Sequence, residues 1–195
     1  MSIIKEQVYN WLKSNALELM KLQNMSLVVF ENRNIFQDEL MRLTKYLSEN
    51  KLVPEDKVWI ISAIIGEIGN NSFDHNLGNW PRERGVVFGY NIEDDYLDIV
   101  IADNGLGVLK TLQRVKPELN NDKDALKIAF TKILSGRAPE ARGNGLKFVK
   151  ENVINNDMNL VFVSGDSRVV LNGGLKIDNI ENDYQGCLAI LRIKK

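Results

Sequence analysis

The sequence contains one cysteine, one histidine and only four prolines in 195 residues. A single cysteine can form neither an internal disulfide nor a cysteine-rich metal site, so nothing in the chain requires an oxidising compartment. A single histidine excludes chemistry that needs several imidazole groups. We therefore expect a cytoplasmic protein.

The sequence also lacks a strong net charge and a long apolar run. Its 25 basic and 26 acidic residues leave a formal charge of -1, which provides no basic field to hold a nucleic-acid backbone. The N-terminal residues mix charged and apolar side chains, unlike a signal peptide or a membrane span. We expect no nucleic-acid partner and no membrane association.

Hydrophobic residues make up 44% of the chain and charged residues 26%, as in globular proteins. The hydrophobic pattern predicts helices within residues 3–22, at 35–48 with Asn34 as N-cap, from Pro54 to Leu77, at 123–134 and at 146–154, and strands at 26–30, 86–92, 96–102, 160–163, 168–171, 175–177 and 186–193. Strands joined by short turns, with helices on one side, indicate an α+β fold, a two-layer α/β sandwich with a mixed, mostly antiparallel sheet. We divide the chain into an N-terminal extension, residues 1–50, and a main domain, residues 51–195.

The predicted helix from Pro54 to Leu77 carries polar residues within an apolar pattern. Glu67 and Asn71 are four residues apart, so they lie about 40° apart around the helix axis. Asp74 falls on the same side and His75 a little further round. An apolar stripe faces the other way and can pack on a sheet. It comprises Val58, Ile61, Ile65, Ile68 and Ser72. The pattern predicts one face for the core and one for chemistry.

Two further motifs combine glycine with polar residues: Asp103-x-Gly105-x-Gly107 and Gly143-Asn144-Gly145-Leu146. The first follows a predicted strand, and the second leads into a predicted helix, whose first backbone N–H groups have no partner within the helix. Taken alone, each motif also fits a plain turn, and Glu67 also fits a solvated helix charge.

Taken in order, the three motifs resemble the N, G1 and G2 boxes of the GHKL superfamily of Bergerat-fold ATPases. This superfamily includes gyrase-type topoisomerases, a heat-shock chaperone, histidine kinases and a mismatch-repair ATPase. The resemblance covers residues 55–193 and implies a Bergerat fold, also called a histidine kinase-like ATP-binding domain, with ATP and Mg²⁺ as its ligands.

The resemblance implies a role for each matching residue. Asn71 would bind Mg²⁺ through its amide oxygen. Glu67 would deprotonate a water or hydroxyl nucleophile. Asp103 would accept a hydrogen bond from the exocyclic amino group of adenine. Gly105 and Gly107 would let the backbone approach the nucleotide closely.

The remaining assignments concern the phosphates. The backbone at the helix start would bind phosphate oxygens, which assigns Gly143, Asn144, Gly145 and Leu146. Arg137 and Arg142 would close over the triphosphate as a lid, and the alternative is that they are solvated charges. His75 is included among the cofactor-binding residues, although a lone imidazole is commonly a hydrogen-bonded structural residue.

The pattern Glu67-x-x-x-Asn71-x-x-x-His75 is similar to the N box of the anti-sigma-factor serine/threonine kinases. It favours an ATP-dependent protein kinase that acts on a regulatory protein partner. Two residues depart from the family pattern: Ser72 replaces the usual alanine, and Cys187 stands where a threonine is expected. His75 lies in the nucleotide-binding helix, and the absence of another histidine argues against a complete sensor kinase.

Other functions stay open. The protein is alternatively a conformational switch that hydrolyses ATP, a histidine-kinase-like ATP-binding module without its own phosphoacceptor, or an interaction module that binds nucleotide without turnover. Water as the sole acceptor, together with ATP-dependent dimerisation, would favour the switch. Residues 1–50 either cap the domain or form a homodimer contact.

Overall fold

The computed structural model describes residues 2–14, 25–76, 80–81, 83–93, 95–132 and 145–195. Its elements, in chain order, are α1 (Ile3–Ser14), β1 (Val28–Phe30), α2 (Arg33–Glu49), α3 (Glu55–Asn76), β2 (Val86–Ile92), β3 (Tyr96–Asp103), α4 (Gly107–Leu112), α5 (Asp122–Thr131), α6 (Gly145–Asn155), β4 (Asn159–Asn172) and β5 (Leu175–Lys194). The predicted combination of helices with a sheet is confirmed.

The described strands form one sheet in the order β1-β2-β3-β5-β4, and every pairing among them is antiparallel. The α+β prediction is therefore confirmed, although the described strands form an antiparallel sheet rather than the mixed sheet that was expected. The prediction of several short strands after residue 160 is wrong, because β4 and β5 form one long hairpin. Irregularities in the ladder on either side of Gly165 let the strands continue through positions that look like turns in the sequence.

One face of the sheet is covered by helices α2, α3, α5 and α6, which share an apolar core with the strands. The apolar stripe predicted for α3 is buried, with Ile61 and Ile65 fully inaccessible. Phe36 of α2 packs edge-on against Phe88 of β2, with ring centroids 5.7 Å apart. Helix α3 contacts both α2 and α6.

The first helix, α1, packs on the opposite face. Ile4, Val8 and Trp11 recur at helical spacing and are buried together with Val100 of β3. Neighbouring strand residues point to opposite faces, and Ile99 belongs to the core under the other helices. The predicted N-terminal extension thus contributes to the apolar cores on both sides of the sheet.

Some helix boundaries differ from the prediction. Asn32 is the N-cap of α2, and its side chain accepts a hydrogen bond from the backbone N–H of Asn34 at 2.8 Å. Asn34, which we predicted as the cap, therefore lies in the first turn. Helix α4 was not predicted, since six residues are too few for a periodic pattern. Among the described residues, no helix is long and apolar enough to span a membrane.

Candidate functional site

The start of α6 lies against the polar face of α3. A Cβ atom built on Gly145, the first residue of α6, would lie 2.0 Å from Glu67 Oε1 and 3.1 Å from Asn71 Nδ2. The two helices share the apolar core, to which α6 contributes Val149 and Val153. We call the contact of Glu67, Asn71 and Gly145 the α3–α6 junction. It joins two motifs that are far apart in the sequence.

The junction brings the negatively charged carboxylate of Glu67 close to the N-terminus of a helix, which carries partial positive charge. The first N–H groups of a helix have no partner within the helix, and the macrodipole places partial positive charge there. Glu67 and Asn71, both half-buried, place a carboxylate and an amide beside this end of α6. Leu146 packs against the main core with its apolar side chain. The junction therefore places a carboxylate and a side-chain amide beside the N-terminus of a helix.

Asp103 lies at the end of β3 and is only 1% exposed. Its Oδ2 accepts a hydrogen bond from Ser72 Oγ at 2.6 Å. Its Oδ1 accepts one from the backbone N–H of Gly105 at 2.8 Å and a longer one from Asn76 Nδ2 at 3.4 Å. Burial raises the pKa of Asp103, and these donated bonds offset part of that increase. The carboxyl group is therefore held in one orientation between α3 and the following turn.

Side chains from several elements hold the turn of residues 105–108. The backbone N–H of Leu106 donates to Asn76 Oδ1 at 2.8 Å, and that of Val108 donates to Ser164 Oγ at 2.9 Å. A Cβ atom on Gly105 would lie 2.1 Å from Asn76 Nδ2, so a larger residue would displace that amide. The N–H groups of Leu106 and Val108 are therefore satisfied within the protein.

Strand β5 passes close beneath the same turn. Gly186 has a φ of +90°, and a Cβ atom there would lie 2.3 Å from the backbone oxygen of Asp103. Gly107 also has a positive φ, +77°, so both positions favour glycine. The next residue, Cys187, pairs with Asp103 in the ladder. Burial raises the pKa of the Cys187 thiol well above its usual range, so the thiol stays protonated at neutral pH.

The predicted site residues thus fall into two connected groups. One is the α3–α6 junction, and the other is Asp103 with the 105–108 turn, to which α3 is joined through Ser72 and Asn76. His75 is half-buried, one turn beyond Asn71, and its role stays a prediction. Asp74 instead forms an ion pair with Arg33 of α2. The predicted residues Arg137, Arg142, Gly143 and Asn144 lie outside the described residues.

Several residues that support this site were not predicted from the sequence: Ser72 as a donor, Asn76, Ser164 and Gly186. Gly186 did give a signal, because a glycine within a strand indicates a bulge or a close backbone approach. Asn104 was not singled out either. It is fully buried, and neither polar atom of its side chain has a hydrogen-bond partner among the residues that the structure describes.

No protein-family model matches this sequence, and no curated protein is significantly similar to it. The GHKL resemblance therefore stays a prediction based on the three motifs. What the structure contributes is the spatial relation between the described parts of those motifs.

Proposed function

We propose that this protein binds ATP-Mg²⁺ through a GHKL-type site formed by α3, the 105–108 turn and the start of α6. The observation that carries the proposal is the α3–α6 junction, in which Gly145 approaches Glu67 and Asn71 so closely that a Cβ atom would displace the Glu67 carboxylate. A helix N-terminus, an amide oxygen and a carboxylate are together a set of groups suited to a metal-bound phosphate.

The junction fits a hydrated Mg²⁺ ion. Within the described ranges, no three histidine, cysteine, aspartate or glutamate side chains converge as metal ligands. Mg²⁺ at a nucleotide site needs no such set, because it usually keeps several waters and binds phosphate oxygens together with one or two protein oxygens. Asn71 would supply that protein oxygen, and the N–H groups at the start of α6 would bind phosphate.

The adenine base fits less readily at Asp103 than the phosphates and the metal fit at the α3–α6 junction. A carboxylate has about four acceptor positions, and Asp103 already receives bonds from Ser72, Gly105, Asn76 and the backbone of Cys187. The Asn76 bond, at 3.4 Å, is the longest of the side-chain bonds. An adenine amino group would take its place, and the protein over this 1% exposed carboxyl must open to admit it. Adenine recognition through Asp103 therefore requires a local movement.

We assign the reaction as phosphoryl transfer to a serine or threonine of a regulatory protein partner. When bound, ATP-Mg²⁺ supplies the phosphoryl group that is transferred. Glu67 would accept the proton of the attacking hydroxyl, since its carboxylate lies beside the helix start that would hold the phosphates. Asn71, one helical turn on, would hold the metal next to it. This makes the protein an ATP-dependent kinase.

Thermal stabilisation tests the binding. We expect ATP-Mg²⁺ to stabilise the wild type by about 2.7 kcal/mol at a hundredfold excess over Kd, and ATP with a chelator or GTP-Mg²⁺ to stabilise it less. Asn71→Ala should lose the Mg²⁺-dependent part. Asn70→Ala is the matched control, because Asn70 bonds to Gln37 of α2 instead. No stabilisation of the wild type would overturn the proposal, and an equal response to GTP would overturn the adenine assignment.

Phosphate transfer distinguishes the kinase from its alternatives. Glu67→Gln should still bind ATP-Mg²⁺ while transfer falls about 100-fold or more, as is usual on loss of a general base. Unchanged transfer would remove Glu67 from the mechanism. Phosphate release to water, with ATP-dependent dimerisation, would favour the hydrolytic switch, and binding without either reaction would leave a passive module.

A further inference from the structure

Two glutamines connect α1 to the 105–108 turn. Gln185 Nε2 of β5 donates a hydrogen bond to the backbone oxygen of Gly105. Gln7 Nε2 of α1 donates to the backbone oxygen of Gln185 at 2.9 Å. Both side chains are half-buried. These two bonds run from a helix on one face of the sheet to the loop next to Asp103.

A bulge in β5 places Gln185 at this position. Ser164 of β4 pairs with Cys187, but the next residue, Gly165, pairs with Tyr184. Gln185 and its neighbour therefore stand outside the regular ladder. Bulges redirect side chains and occur often beside functional sites. Here the bulge directs the Gln185 amide to the carbonyl group of the turn.

Helix α1 is itself held firmly. Glu83 Oε2 accepts hydrogen bonds from Ser2 Oγ at 2.7 Å and from the backbone N–H of Ile4 at 3.1 Å. A carboxylate at this end of a helix satisfies a free N–H group and complements the macrodipole. Ile4 and Val8 are completely buried against the sheet, so Gln7, between them, keeps a fixed position.

We propose that Gln185 is a positioning residue for the nucleotide site, and that docking of α1 holds it in place through Gln7. Gly105 is fixed at both polar groups, because Asp103 accepts from its N–H and Gln185 donates to its carbonyl oxygen. Without the Gln185 bond the turn gains freedom, and the carboxyl that bonds to it loses part of its orientation. The inference rests on the proposed function, which assigns this turn to the base.

Substitution of Gln185 tests the proposal in the full-length chain. Gln185→Met and Gln185→Glu both remove the donor, and the glutamate keeps the shape of the side chain. Gln113→Met is the matched control, because Gln113 Nε2 also donates to a backbone oxygen, that of Leu119 at 2.8 Å, beyond α4. Calorimetry measures the affinity for ATP-Mg²⁺. Hydrogen exchange without nucleotide measures the mobility of residues 104–108.

We expect both Gln185 variants to weaken ATP-Mg²⁺ binding about fivefold, the effect of one ordinary hydrogen bond. They should also accelerate exchange at residues 104–108, while Gln113→Met does neither. Gln7→Met should accelerate exchange in the same segment to a smaller extent.

Unchanged exchange and affinity in both Gln185 variants would overturn the proposal. Equal acceleration throughout β3 and β5 would also overturn it, because that result indicates a general loss of stability. If the wild type fails to bind ATP-Mg²⁺, the proposed function fails, and the exchange comparison still decides whether Gln185 holds the turn.

Discussion

Gly145→Ala tests the α3–α6 junction by adding a single methyl group. The new Cβ atom would lie 2.0 Å from Glu67 Oε1, whereas ordinary contacts begin at 3.4 Å, so the carboxylate must retreat by about 1.4 Å. A misplacement of about 1 Å in a catalytic arrangement can cost about 100-fold in rate. We expect ATP turnover to fall about 100-fold.

The same substitution should leave the fold intact. The two clashing atoms, Oε1 and Cδ of Glu67, form the far end of a flexible, half-buried side chain, which can rotate away. Alanine is favoured over glycine in a helix by up to about 1 kcal/mol. We therefore expect the free energy of unfolding to stay within about 1 kcal/mol of the wild-type value. A large loss of turnover with little change in stability is the signature of a site residue.

Turnover is measured as ATP-dependent phosphate release or transfer to a partner, and stability by equilibrium urea denaturation. Gly66→Ala is the matched control, because its Cβ atom would make an ordinary 3.4 Å contact with Leu40 Cδ2. It should retain turnover and gain up to about 1 kcal/mol of stability. Wild-type turnover in Gly145→Ala would refute the reasoning that Glu67 acts at the junction. Unfolding of that variant would make Gly145 a structural residue instead.

Three predictions concern stability, measured by urea denaturation. Gly69→Ala would bring a Cβ atom to 2.2 Å from the buried Phe36 ring and should destabilise the fold by about 1–3 kcal/mol; wild-type stability would contradict this packing. Asp98→Ala removes a 2% exposed carboxylate that accepts hydrogen bonds from Arg192 at 2.7 and 3.0 Å, and it should lower the free energy of unfolding by about 2 kcal/mol. A change below about 0.5 kcal/mol would show that the pair is as weak as an exposed surface salt bridge. Burial raises the pKa of Asp103 above 3.8, so the carboxyl group binds its proton more tightly in the folded protein than in the unfolded chain. The free energy of unfolding therefore decreases as pH rises from 3.8 through the folded-state pKa. Wild type should gain stability relative to Asp103→Asn as pH falls from 7 to 4, and a difference independent of pH would disprove the linkage.

The sequence predicted best those elements whose pattern is long and local. Helix α3 was predicted from Pro54 to Leu77 and extends over Glu55–Asn76, because its apolar residues recur over six turns. The hairpin of β2 and β3 was also predicted closely. The position of β5 between β3 and β4 was not predicted, since pairing between distant strands leaves no periodic mark within either one.

The sequence predicted the motifs of the candidate site but not the hydrogen bonds that join them. Ser72 was assigned to the buried stripe of α3, and it is buried, yet its hydroxyl group donates to Asp103. Asn76 and Ser164 bond to backbone groups of the 105–108 turn. Such bonds depend on how helices and strands are placed against each other, so the spacing of residues along one element cannot reveal them.

The place of β5 in the sheet has a consequence for synthesis. The ribosome releases β3 long before β5, with α4, α5, α6 and β4 made in between. Until β5 arrives, one edge of the apolar strand β3 is open, and an open edge can pair with another chain. Removal of residues 187–194 would break the sheet between β3 and β4 rather than shorten one end. An open apolar edge of this kind favours aggregation until β5 has paired with β3.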